Sequence, residues 1–179
     1  MMDAHDSARN FRALMEAMAR PGKEQMLAPP KQVPSGLSAG MAACLLVLCD
    51  QDVGVHLAGK HDQPEIRDWI LFHCGSRLVQ ASDADFAFGY FDDLHPFDAL
   101  PKGDPQYPDR STTLIIEQES GWEAFEIQGP GIKDAGVISL PRPDVFIHNR
   151  QLFPLGHDFL FTKGDAVTAL PRSSMIGGA

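Results

Sequence analysis

Helix-like and strand-like segments interleave along this 179-residue chain, and that order predicts an α/β fold with a mixed sheet. Two further observations support it. The composition, 44% hydrophobic and 22% charged, is that of a folded protein able to bury roughly 70% of its unfolded surface. No shift of composition marks a boundary, so one domain spanning 1–179 is expected.

Segment 5–19 places Phe11, Leu14, Met15 and Met18 on one stripe, which predicts an amphipathic helix ended by Arg20-Pro21-Gly22. After the Pro-rich passage 29–34, Ser38 is placed to cap a second helix to about Cys49, apolar almost all round and therefore buried. Gly54 to Ala58 reads as a strand. Pro64 suits the first turn of a third helix through Cys74, with Ile66, Trp69, Ile70 and His73 on one side. Short strands are expected at 77–80 and 86–91. The five Gly and Pro residues of 92–110 predict an ordered loop without regular structure. Thr112 to Gln118 and Trp122 to Gln128, joined by Glu119-Ser120-Gly121, predict a β-hairpin. A strand over 134–140, a helix over 142–153 and paired strands at 158–161 and 166–170 complete the reading.

Charge and cysteine content exclude whole classes of function. A formal net charge of −9 with no basic stripe argues against a nucleic-acid partner. The longest apolar run, Met41 to Cys49, is about half of the roughly 20 residues a membrane helix needs. The opening residues are acidic and polar where a secretory signal is basic and then apolar, so a cytoplasmic location is expected. Cys44 and Cys49 would lie about 7.5 Å apart along one helix, too far for a disulfide, and a reducing compartment fits the three cysteines.

The motifs of chemical interest each have a simpler explanation. Gly36-Leu37-Ser38-Ala39-Gly40 matches the nucleophile elbow of α/β-hydrolases, but prolines stand where the strand before the elbow belongs, so Ser38 is read as a helix cap. His73-Cys74 has no zinc-ligand spacing, and the acidic residues Asp83, Asp85, Asp92, Asp93 and Asp98 are read as a solvated face. Phosphate-binding glycine loops are absent, and Gly129-Pro130-Gly131 is read as a turn. None of the six lysines sits in surroundings suited to a Schiff base, so no cofactor is expected. Arg110 beside Ser111 and Arg172 beside Ser173 are the anion-binding candidates.

Several segments, taken in order, resemble the PhnH family. They are 11–22 (Phe-Arg-Ala-Leu-Met-Glu-Ala-Met-Ala-Arg-Pro-Gly), 69–75 (Trp-Ile-Leu-Phe-His-Cys-Gly), 84–87, and Tyr107 to Leu114. The series continues with Gly129 to Ile132, Asn149 with Phe153 to Asp158, and Leu170 to Ser174. Cys74 and Ser173-Ser174 depart from the threonines usual in the family. The resemblance implies a three-layer α/β/α sandwich related to the large domain of pyridoxal-phosphate transferases, without the cofactor site. It also implies an accessory subunit of the bacterial carbon–phosphorus lyase system, partnered by the G, I and J subunits and functionally by L. That system joins an alkylphosphonate to the ribose of ATP or GTP, giving ribose 1-methylphosphonate 5-triphosphate. A transferase subunit with no active site of its own and a homodimer when isolated are the corresponding expectations. The alternative is a subunit with its own pocket for nucleotide triphosphate or phosphonate, lined by His73, Tyr107, Arg110, Ser111 and Arg172.

Overall fold

The computed structural model describes residues 2–177. In chain order it contains α1 (Ala4–Ala19), β1 (Gln25–Met26), α2 (Ala39–Leu48), β2 (Gly54–Leu57), α3 (Pro64–His73), β3 (Arg77–Leu78), β4 (Phe86–Tyr90) and α4 (Phe91–Leu94). There follow β5 (Thr113–Glu117), β6 (Glu123–Gln128), β7 (Gly136–Leu140), α5 (Pro143–Gln151), β8 (Asp158–Lys163), β9 (Ala166–Leu170) and β10 (Met175–Ile176). The chemistry of the helix ends explains where they start. The Asp3 carboxylate accepts from the Asp6 N–H, the Ser38 hydroxyl accepts from the Met41 N–H, and Pro64 and Pro143 occupy first-turn positions of α3 and α5.

Seven strands form one sheet in the order β1-β9-β8-β5-β4-β2-β3. The run from β8 to β3 is parallel, while β9 is antiparallel to β8 and β1 to β9, so the sheet is mixed as expected. Alternation along the strands sends Val55, Leu57, Phe88, Ile115, Leu160 and Val167 into a core beneath α1, α2 and α3. Leu114, Ile116, Phe159, Phe161 and Leu170 point the other way. They are covered by α4, α5 and a second, three-stranded sheet in the order β10-β6-β7. One outer layer is thus helical, and the other combines helix with sheet.

Two local expectations are overturned. The hairpin expected over 112–128 does not form: β5 lies between β4 and β8, parallel to both, while β6 pairs with β7 and β10 in the other sheet. The physical reason lies in the side chains. Leu114, Ile115 and Ile116 are all fully buried, as in a central parallel strand covered on both faces, whereas β6 buries only Ile127 fully. Segment 92–110 is not wholly irregular either. Phe91, Leu94, Phe97 and Leu100 are buried under the sheet, and this anchoring supports α4 and a 3-10 turn at Phe97–Ala99. The two-residue strands β1 and β10 carry no sequence signal of their own.

Candidate functional site

Arg172 ties together three segments that are remote in sequence. Leaving β9, the chain brings the Arg172 backbone N–H to Asp158 Oδ1 at 2.8 Å and its Nη2 to Asp158 Oδ2 at 2.6 Å. Nη1 donates to the Pro108 carbonyl at 2.9 Å, and Nη2 also donates to the Ser111 hydroxyl. The Arg172 side chain is only 13% exposed. Its Nε, Nη1 and Nη2 all donate within the protein, which makes the guanidinium a clamp on the 108–111 loop and the start of β8.

Four of the five residues proposed to line an anion pocket therefore lie close to one another. Ser111 and Arg172 touch directly, and on the same loop the Arg110 guanidinium lies 3.9 Å from the centre of the Tyr107 ring. Arg110 makes no ion pair among the described residues. His73 is elsewhere, at the end of α3, packed against the rings of Trp69 at 4.7 Å and Phe72 at 4.9 Å. Burial lowers its pKa.

A cavity of about 290 Å³ opens between α5 and the 95–102 segment. Its wall includes His95, Phe97, Lys102, Arg142, His148 and His157. His157, 1% exposed, places Nδ1 at 3.1 Å from the Thr112 carbonyl. A carbonyl only accepts, so Nδ1 carries the proton and Nε2 keeps a lone pair. Burial pushes the imidazole pKa down to about 4, against the opposing effect of the Thr112 hydrogen bond. Asn149 holds the backbone here: its Nδ2 donates to the His157 carbonyl at 2.9 Å, and its Oδ1 accepts from the His157 N–H at 2.8 Å. The sequence reading missed this cavity because its residues come from three separated segments with no motif spacing.

At the opposite, carboxyl ends of the parallel strands, Glu117 accepts from the hydroxyls of Ser38 and Thr162. Burial raises its pKa and the two hydroxyls oppose that rise. Ser38 is a cap, as expected, and no strand runs directly into it: residues 27–38 contain none. The acidic residues act separately: Asp85 accepts from the Gly54 N–H at 2.7 Å and Asp98 pairs with Lys102 at 3.1 Å. Among the described residues, no three His, Cys, Asp or Glu side chains are placed to hold a metal ion. The three cysteines are free thiols, and burial pushes Cys44 up to about 12 and Cys74 up to about 11. No described helix is long and apolar enough to cross a membrane.

Comparison with known proteins adds two findings. The family model described as bacterial phosphonate metabolism protein (PhnH) matches residues 1–177. A relative from Rhizobium meliloti (strain 1021), named alpha-D-ribose 1-methylphosphonate 5-triphosphate synthase subunit PhnH, is 36% identical over 177 residues. The alignment covers 93% of this chain and 88% of the relative.

Proposed function

Because this chain belongs to the PhnH family of bacterial phosphonate metabolism proteins, we propose that it is the corresponding subunit of a ribose 1-methylphosphonate 5-triphosphate synthase, acting as an accessory rather than a catalytic component. One observation supports assembly above the others. On the outer face of the helical layer, Phe11 and Met15 of α1 and Leu71 and Phe72 of α3 are each at least half exposed, Phe72 by 81%. Large apolar side chains left exposed, two of them one turn apart on α1 and two adjacent on α3, are what a partner covers. The partners proposed are the G, I and J subunits of the carbon–phosphorus lyase system, with a cytoplasmic homodimer when the protein is alone. The mixed, largely parallel sheet is consistent with kinship to the large domain of pyridoxal-phosphate transferases.

Co-purification with the I subunit tests this reading. The wild-type chain should be retained and Phe72→Asp, exposed enough to leave the fold intact, should not. Retention of both, or of neither, would count against the α1–α3 face.

A second reading, direct anion binding at Tyr107, Arg110 and Ser111, rests on the Arg110 guanidinium, without an ion pair among the described residues, held over the Tyr107 ring. Calorimetry with ATP and with an Arg110→Ala variant decides it, since heat that survives the substitution removes this site.

A further inference from the structure

A second cavity, of about 240 Å³, lies between β2 and the 93–100 segment. Its wall holds one carboxylate, Asp93, and two imidazoles, His56 and His95, with no lysine or arginine among the residues that line it. Leu94, Ala99 and Leu100 make much of the remaining wall apolar. A space of this size takes roughly eight atoms as large as a water molecule. His95 and Pro96 belong to this wall and to that of the cavity beside α5, where Lys102 is paired with Asp98 at 3.1 Å.

The charged group of this wall is not neutralised from within. Asp93 makes no ion pair among the described residues, and its Oδ2 takes one long contact, 3.5 Å, from the Lys60 N–H. Gly59 makes that position possible, since a Cβ there would stand 2.0 Å from the Asp93 Cγ. The Lys60 ammonium lies over the Tyr90 ring instead, 5.7 Å from its centre. His56 is the one polar side chain of β2, and its Nδ1 is 3.2 Å from the Val79 carbonyl. A carbonyl only accepts, so Nδ1 carries the proton and Nε2 keeps a lone pair.

A wall with one negative charge and acceptors to spare calls for a cation that donates hydrogen bonds. A metal ion does not meet the geometry, because among the described residues no three His, Cys, Asp or Glu side chains are placed to hold one. A primary ammonium has three N–H donors and no acceptor, and an alkyl chain behind it matches the apolar part of the wall. We propose that this cavity binds a primary alkylammonium group, with the Asp93 carboxylate and the His56 imidazole accepting from its N–H donors and Leu94, Ala99 and Leu100 covering its carbon chain. Two sources share this chemistry, a free amine and the lysine side chain of a partner protein. The inference stands apart from the α1–α3 face, since Leu94 and Leu100 belong to the core on the opposite side of the large sheet.

Two-dimensional NMR titration of the full chain with n-butylammonium, n-butanol and tetramethylammonium tests it. Butylammonium should bind at millimolar concentration and move the amide resonances of Asp93, Leu94 and Ala99. Butanol lacks the charge and tetramethylammonium lacks the N–H donors, so each should bind about tenfold or more weakly. Asp93→Asn, at an exposed position, should weaken butylammonium by about tenfold and leave butanol unchanged, a split that loss of folding would not produce. Ala99→Leu narrows the cavity from another exposed position and should weaken butylammonium and butanol together. Lysine with both its α-amino and its carboxyl group capped as amides separates the sources. Binding as tight as that of butylammonium assigns the cavity to a lysine side chain, and failure of the capped lysine to bind assigns it to a free amine. Equal affinity for butylammonium and either comparison compound, absence of butylammonium binding at millimolar concentration, unchanged affinity in Asp93→Asn, or shifts confined to other parts of the chain overturns the proposal.

Discussion

Ser38 and Glu117, 79 positions apart, share a hydrogen bond in which the hydroxyl donates to the carboxylate while its oxygen accepts from the Met41 N–H. The start of α2 is thereby fastened to the carboxyl end of β5, and Thr162 of β8 donates to the same carboxylate oxygen at 3.1 Å. Ser38→Ala removes the cap and one of the two hydroxyls at Glu117. A stability loss of about 1–2 kcal/mol in urea unfolding is expected. No loss would mean that the Glu117 contact has no energetic consequence.

Glu117 also predicts a pH dependence. Burial raises its folded pKa above the 4.5 of an unperturbed carboxyl, so the folded state holds the proton more tightly than the unfolded chain does. Its stabilising contribution is full below 4.5 and is lost as pH rises through the raised folded value. Glu117→Gln should flatten this part of the stability profile, read from urea midpoints between about pH 4 and pH 8.

His157 acts in the opposite direction. Its folded pKa of about 4 lies below the unperturbed 6.5, so acidification protonates the unfolded chain first. The contribution is present above 6.5 and disappears as pH falls towards 4, with a change of roughly 3 kcal/mol at most. A His157→Phe variant should show a shallower acid limb over that window. An unchanged limb would place the titration elsewhere.

Replacing Arg172 with Ala strips Asp158 of its partner and frees the 108–111 loop. Breaking a largely buried pair of this kind should destabilise by about 3 kcal/mol. Lysine should not rescue the loss, since a single ammonium cannot reach Asp158, Ser111 and the Pro108 carbonyl together. Thermal unfolding of the two variants provides the comparison.

Two turn glycines with similar backbone angles should respond very differently to alanine. At Gly131, φ +82°, a Cβ would stand 1.9 Å from the Ala19 carbonyl oxygen; at Gly121, φ +88°, it would meet nothing within 4 Å. Gly121→Ala carries only the left-handed strain, about 1 kcal/mol. Gly131→Ala adds a clash with backbone and should exceed it by about 2 kcal/mol or more in the same unfolding assay. Equal losses would show that the end of α1 yields freely.

The local periodicities were enough to place α1, α2, α3 and α5, the β8–β9 pair, and the role of Ser38, because caps, prolines and apolar spacing act within a few residues. The family was legible in a different way, from segments of specific residues that resemble it in order along the chain. Tertiary structure alone decided that β5 joins β4 and β8 rather than β6, since pairing depends on which strand finds cover on both faces. It likewise decided that Arg172 and Ser111 meet while His73 stands apart, and that His157, Asn149, Lys102 and Arg142 share one cavity wall. Such convergence comes from folding distant segments over a common sheet, and no spacing along the chain records it.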